Sequence, residues 1–323
     1  MIIDQQDIID TVRAMPAPKE AAYVRKPSEV LDAVINAFHD PSFQKAGYPL
    51  PYSDYDNLFR FRDGEVTVWS GENHTGKSEA LNQYVLFHSQ RIKTFVMSPE
   101  MPVYRTLQYM ACQATAQGKP SKMAITHFIQ EIEHKIYLLD QSSTFNPQMV
   151  INLIRYVVQE FGVKQIVIDS LMKCGINEND DHGKIKWFVD QLCVLAKALE
   201  IHIHIVAHAM KPKDRARPTR YSIKGSGAIS DLVDNVIIMW RNEEKEHELQ
   251  EGVNDIRMQE LGNEPDGRMI IDKQRHGTGW RGMINLWHWS EQRVFLPNRA
   301  ARPVMANLGT PLKAVSQFNG GQQ

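Results

Sequence analysis

Two periodicities alternate along the chain from Gly64 onward. Short apolar runs predict strands at residues 65–70 (EVTVWS), 93–98 (KTFVMS), 135–140 (KIYLLD), 164–170 (KQIVIDS) and 201–208 (IHIHIVAH). Between them, apolar residues recur every three or four positions. That spacing predicts helices over Lys77–Gln90, Val103–Ala116, Asn146–Phe161 and Lys184–Leu199. The third of these carries Val150, Leu153, Ile154, Val157, Val158 and Phe161 on one face. The run at 164–170 is almost wholly apolar, as a strand covered on both faces must be. Strand–helix alternation of this kind predicts an α/β fold with a mostly parallel central sheet flanked by helices. After Asp234 the helices thin out, and residues 236–240, 267–272, 282–289 and 293–296 read as successive strands closing one side.

Ahead of this core the pattern is different. Residues 28–39 hold Val30, Leu31, Val34, Ile35 and Phe38 at helical spacing, with Ser28 as the expected N-cap. The Pro- and Tyr-rich segment 41–57 reads as a loop or linker. The expected organisation is an N-terminal arm and short helical linker over 1–60, one core domain over 61–297 and a flexible tail over 298–323. The charged run EEKEHELQE at 243–251 reads as an exposed helix or loop.

Composition narrows the function classes. Net charge is −1, so a nucleic-acid binder needs a local basic stripe rather than a global field. Cys112, Cys174 and Cys193 form no CxxC pair, which removes a zinc ribbon and suits a reducing compartment. The N-terminal MIIDQQDIID lacks the basic and apolar regions of a signal peptide, and no uninterrupted apolar run reaches membrane-spanning length. The expected location is cytoplasmic, in the host cytoplasm if the chain is phage-encoded.

The sequence GENHTGKS at 71–78 fits the phosphate-loop pattern G-x-x-x-x-G-K-[ST] between an expected strand and an expected helix. Backbone N–H groups of Gly71, Glu72, Asn73, His74, Thr75 and Gly76 would cradle the phosphates of ATP or another NTP at a helix N-terminus. Lys77 would reach the terminal phosphates and Ser78 would ligate Mg²⁺. Asp169, ending the apolar strand, is the expected partner of the metal. The residue after it is Ser170, where many oligomeric ATPases place a water-activating Glu. Glu100, just past the strand at 93–98, is the candidate for that role, against a plain helix first-turn acid.

The required basic stripe follows the strand ending at His208. The segment KPKDRARPTRYSIKGSG carries Lys211, Lys213, Arg215, Arg217, Arg220 and Lys224 against Asp214 alone. Such a loop suits contact with a phosphate backbone without sequence reading, or is simply a solvated loop. The loop at 175–184 is acidic and a weaker candidate. His202 and His204 alternate on one strand face, as core residues or as metal ligands lacking a third partner. Trp280, Trp287 and Trp289 fit sheet packing better than base stacking.

The ordered set GENHTGKS, SPEM, VIDS, VAHAMKP, IKGSGAISDLVDNVIIMWRNE and DKQRHGTGWRG resembles the helicase domain of replicative hexameric DNA helicases, over about Gly64 to Leu296. That family includes bacterial DnaB, mitochondrial Twinkle and the helicase half of phage primase–helicases. The resemblance implies a RecA-like ATPase core. It also implies a homo-oligomeric ring, a hexamer or similar, that translocates on single-stranded DNA and unwinds duplex with 5′ to 3′ polarity. It places the catalytic glutamate at Glu100, the Mg²⁺-associated aspartate at Asp169 and a terminal-phosphate sensor at His208. It places an arginine finger at Arg275 with Lys273 beside it, and a residue near the nucleotide base at Arg241. The helix at 28–39 resembles the family's linker helix.

Residues 1–60 leave no room for a primase and barely allow the helical N-terminal domain of DnaB-type proteins. The resemblance makes a primase or polymerase of a replisome a candidate partner. The tail has no acid after Glu291 and so lacks the acidic polymerase-recruiting device of phage members. Two other readings stand beside the helicase: a RecA-like DNA-pairing recombination ATPase, and a non-translocating ATPase switch or helicase loader. The Asp169–Ser170 pair argues against an AAA+ version of the latter.

Overall fold

The computed structural model describes residues 24–140, 145–175, 182–209, 219–223 and 227–305. The chain divides at Ala46/Gly47 into two units. In the first, Pro27 opens a 3-10 turn over Pro27–Val30 that runs into α1 (Leu31–His39). Asp40 then caps the single turn α2 (Pro41–Gln44), accepting from the Ser42 N–H at 2.8 Å. Ser28 lies inside the 3-10 turn instead of capping α1, because the fixed φ and missing N–H of Pro27 already suit a first helical position. Val30, Leu31, Val34, Ile35 and Phe38 are all exposed.

In the second unit β1 (Tyr48–Pro49) pairs antiparallel with β2 (Arg60–Phe61). There follow β3 (Val66–Gly71), α3 (Lys77–His88), β4 (Thr94–Met97), α4 (Val103–Thr115), α5 (Lys122–Ile132), β5 (Ile136–Leu138), α6 (Pro147–Phe161), β6 (Gln165–Ile168), α7 (His182–Leu199) and β7 (His202–His208). The chain continues through α8 (Gly227–Leu232), β8 (Asn235–Arg241), α9 (Glu243–Glu251), α10 (Asp255–Asn263), β9 (Gly267–Gln274), β10 (Gly282–Trp289) and β11 (Val294–Leu296). One sheet holds the strands in the order β11-β10-β9-β8-β3-β7-β6-β4-β5. From β8 to β5 neighbours are parallel; β9, β10 and β11 extend the sheet antiparallel. The α/β expectation and the run of closing strands both hold.

Side-chain alternation explains how the sheet is covered on both faces. Val66, Val68, Ile166, Ile168, Ile203, Ile205, Val236 and Ile238 pack under α6, α7 and α8. Trp69, Val167, Val206, Ile237 and Met239 face the other way, toward α3, α4 and α5. Segment 41–57 is not the linker its composition suggests. Leu50 and Tyr52 are buried in that second layer together with Phe59 and Phe61, so the domain begins ahead of the expected boundary at 61. The aromatic content marked core, and the prolines only marked the turns. Helices α5, α8 and α10 escaped prediction. In α5 only Phe128 and Ile132 are buried, too few to print a clear stripe. The charged run at 243–251 is helical, as one of its two readings had it. Lys245 is its buried anchor, with Nζ 2.6 Å from Asp266 Oδ1.

His202 and His204 are fully buried, their rings 4.4 Å apart against Phe61, and His204 also packs on Tyr84 and Trp69. The Trp69 indole donates to His204 Nδ1 at 3.1 Å, and Thr67 Oγ1 lies 2.9 Å from His202 Nε2. Among the described residues no cluster suited to holding a metal ion occurs. Burial pushes His202 and His88 each down to about 4 and His204 lower still, so all three are neutral at pH 7. The unfolded chain then binds more protons than the folded one between about pH 6.5 and pH 4. The contribution of these rings is complete above pH 6.5 and is lost as pH falls through that window. His202→Gln is expected to flatten the fall of Tm between pH 6.5 and 4. An unchanged slope in the variant would show that His202 is not a buried neutral base.

Candidate active site

The site is assembled by strand register. Gly71 pairs with His208, Ile168 with Ile205 and Met97 with Ile168, so β3, β7, β6 and β4 all end at one edge of the sheet. The loop Gly71–Ser78, His208, Asp169 and Glu100 therefore emerge side by side at the carboxyl edge, where ligands of open α/β sheets bind.

Two glycines let the loop take its path. At Gly71 (φ 150°) a Cβ would lie 2.3 Å from the Met239 carbonyl oxygen, so β3 and β8 approach as only glycine permits. At Gly76 (φ 81°) a Cβ would meet the Phe295 ring at 2.4 Å. Gln83 fixes that ring's backbone from both sides: its side-chain amide donates to the Phe295 carbonyl and its side-chain oxygen accepts from the Phe295 N–H, each at 2.9 Å. Glu79, in the first turn of α3, is held by His288 at 2.9 Å and by Arg293. The closing strands β10 and β11 thus brace the loop from below. Nothing in the sequence pattern signalled Glu79, His288, Arg293 or Gln83.

Lys77 is nearly buried and donates to the Gly71 carbonyl at 3.0 Å and the Glu72 carbonyl at 2.6 Å. Burial pulls its ammonium down to about 8, while Asp169, Glu100 and Glu72 oppose that pull. Ser78 Oγ donates to Asp169 Oδ2 at 2.6 Å. Burial raises the Asp169 carboxyl and the Glu100 charge adds to the rise; Ser78 and Lys77 lower it. A hydroxyl and a carboxylate oxygen of this kind fit a hard divalent cation that keeps waters and takes phosphate oxygens, as Mg²⁺ does. Ser170 Oγ donates to Glu100 Oε1 at 2.7 Å. On the β8 side, Arg241 donates to the His74 carbonyl at 2.9 Å and to Glu246 at 2.5 Å, so it stands beside the loop. Asn73 and Thr75 lie within the loop, with Thr75 Oγ1 on the Glu72 carbonyl at 2.9 Å.

Arg275 and Lys273 do not join this group. They lie at the opposite edge of the sheet, where Arg275 reaches Asp234 Oδ1 at 3.0 Å and the Asp231 carbonyl at 2.8 Å. The other Asp234 oxygen accepts from Val66 N, at the first residue of β3. From Val66 to Gly71 is the length of one strand, about 17 Å at ~3.3 Å per residue. Lys273 Nζ donates to the carbonyls of Ser230, Asp231 and Val233, capping the C-terminal end of α8, a favourable place for a cation. Lys211, Lys213, Arg215, Arg217 and Lys224 fall outside the described residues. Arg220 is described: its N–H donates to Asp272 Oδ2 at 3.0 Å and its guanidinium to the Tyr221 hydroxyl at 2.9 Å. Ala209, just ahead of the basic segment, bridges Ile223, and its N–H donates to the Gly71 carbonyl at 3.0 Å.

The fold is that of RecA-like ATPases. The structure is similar to the solved ATPase domain of a DnaB-like helicase, at 15% identity and TM-score 0.70 over 84% of this chain and 99% of that one. It is similar to a DnaB-like replicative helicase studied with its primase interactions, at 16% identity and TM-score 0.67, covering 90% of this chain and 74% of that one. A KaiC-like protein from Pyrococcus horikoshii OT3 matches at 17% identity and TM-score 0.52, covering 78% of this chain and 96% of that one. The DnaB-like helicase C terminal domain family matches residues 47–295, and the chain belongs to that family. Among the described residues no helix is long and apolar enough to cross a membrane.

Gly76→Ala is expected to lower stability by at least about 1 kcal/mol, because φ is positive and the methyl meets Phe295. It is also expected to weaken binding of a fluorescent ATP analogue. Adding Phe295→Leu should recover part of that binding; no recovery would show that the ring does not brace the loop.

Proposed function

We propose that the protein is an ATP-dependent DNA helicase of replicative type. In this reading it assembles as a ring, a hexamer or similar, translocates 5′ to 3′ along single-stranded DNA and separates duplex. The observation that carries this reading is the separation of Arg275 from the Gly71–Ser78 loop by the length of β3. A guanidinium at the far edge cannot serve its own protomer's nucleotide, but a second copy packed edge to edge brings it to its neighbour's.

The chemistry follows from the residues at the carboxyl edge. Backbone N–H groups at the start of α3 and the Lys77 ammonium bind the triphosphate. Ser78 and Asp169 would hold Mg²⁺, which when bound neutralises phosphate charge. Glu100 takes the proton of the attacking water as the water oxygen bonds to the γ-phosphorus and the bond to the β-phosphate oxygen breaks, releasing ADP. The neighbour's Arg275 stabilises the charge on the equatorial oxygens. Lys273 supports the finger indirectly, by tying β9 to α8. His208, beside Gly71, is the proposed terminal-phosphate sensor, and Ala209, bonded to the Gly71 carbonyl, ties the end of β7 to the loop. The residues proposed to contact DNA, Lys211, Lys213, Arg215, Arg217, Arg220 and Lys224, follow Ala209 in sequence. Arg241, bonded to the His74 carbonyl beside the loop, is the residue proposed to lie near the nucleotide base, and a primase or polymerase of a replisome is the proposed partner.

Purified protein on a forked duplex tests the reading. Strand displacement with ATP supports it; strand exchange without displacement, or ATPase indifferent to single-stranded DNA, would overturn it. Lys77→Ala is expected to abolish turnover with the fold intact. Arg275→Ala is expected to keep nucleotide binding and stop hydrolysis, and mixing it with Lys77→Ala subunits should restore activity. Absence of rescue at every mixing ratio would count against a site shared between protomers.

A further inference from the structure

We propose that Ser170 is a positioning residue for the Glu100 carboxylate, holding it in the orientation that accepts a proton from the attacking water. The inference rests on the assignment of Glu100 as the base and goes beyond it. The two residues come from adjacent strands. Met97 pairs with Ile168, and the Asp169 N–H donates to the Met97 carbonyl at 2.8 Å, so the segments beyond β4 and β6 leave the sheet in contact.

The two partners differ in how firmly they are held. Ser170 is 0% exposed, and its carbonyl accepts from Lys173 N at 3.1 Å at the head of a 3-10 turn whose Leu171 and Cys174 are buried. Glu100 stands exposed in a turn ahead of α4. The 2.7 Å bond from Ser170 Oγ to Glu100 Oε1 is the carboxylate's only hydrogen bond among the described residues. A hydroxyl on buried backbone therefore fixes a carboxylate on a loop.

The pairing also settles a competition. Glu100 lies within electrostatic reach of the Lys77 ammonium. An untethered carboxylate is drawn toward that cation and away from water. Ser170 occupies one oxygen of Glu100 and leaves Oε2 as an acceptor. Ser78 does the same for Asp169, so two hydroxyl–carboxylate pairs stand side by side and keep the metal-holding acid distinct from the base. Ser170 carries no proton-accepting role of its own; it acts through Glu100.

Removing one charge-assisted hydrogen bond corresponds to about a tenfold to hundredfold change in rate. The test is single-turnover ATP hydrolysis by the full chain with single-stranded DNA, in Ser170→Ala, Glu100→Gln and the double variant. A fluorescent non-hydrolysable ATP analogue reports affinity and confirms a folded site. Ser170→Ala is expected to slow hydrolysis by that factor at unchanged affinity, and to have no further effect once Glu100 is Gln. The inference is overturned by a Ser170→Ala rate equal to the parent's, or by an equal further loss in the Glu100→Gln background. Full turnover in Glu100→Gln alone would instead remove the base assignment on which it stands.

Discussion

Parallel backbone pairing among β3, β7, β6 and β4 is the constraint on which the site depends. Each inter-strand hydrogen bond fixes where a strand stops, and four strands stop together. A shift of one residue in β6 would turn Ile166 and Ile168 toward the α3 face and carry Asp169 away from Ser78. The apolar alternation of the sheet thus fixes the chemistry as well as the core. The same side chains that exclude water under α6 and α7 hold a hydroxyl–carboxylate pair in contact at 2.6 Å.

Charge in the site is balanced rather than one-sided. Lys77 faces Asp169, Glu100 and Glu72, and burial disfavours both the ammonium and the Asp169 carboxylate. Such a site gains from a ligand that brings both signs, and a nucleotide triphosphate with its divalent cation is of that kind. The hydrogen bonds Lys77 makes to its own loop carbonyls are neutral-acceptor bonds, weaker than those a phosphate oxygen offers. In the proposed function the Lys77 ammonium exchanges one set for the other as the triphosphate binds.

Much of this was legible in the sequence because it depends on local pattern. The phosphate-loop spacing, the apolar strand before Asp169 and the alternation of strands and helices need no tertiary knowledge. What escaped was set by contacts distant in the chain. Segment 41–57 looks polar and broken, yet Leu50 and Tyr52 lie in the core because β1 pairs with β2 and turns them inward. Glu79 meets His288 and Arg293 across 209 and 214 residues of chain, and no spacing rule reaches so far. Ser170 was visible only as the residue that is not glutamate; its hydrogen bond to Glu100 exists because β4 and β6 are neighbours in the sheet. Lys273 and Arg275 share one short motif and both reach the Asp231 carbonyl; Lys273 goes on to cap α8 and Arg275 to pair with Asp234, contacts that no spacing rule announces.

The place of Arg275 in the sheet bears on how neighbouring sites would communicate. Arg275 follows β9, β9 pairs with β10, and β10 pairs with β11, whose Phe295 lies against Gly76 of the protomer's own loop. His288, near the far end of β10, grips Glu79 in the first turn of α3. In an edge-to-edge ring, a pull on Arg275 from the neighbour's nucleotide is therefore applied to a strand whose continuation braces the next phosphate loop. Packed strands transmit displacement because their interior has no slack to absorb it. The antiparallel strands are thus more than a closure of the sheet. They form a direct covalent and hydrogen-bonded path between the residue proposed to act on one site and the loop proposed to form the other.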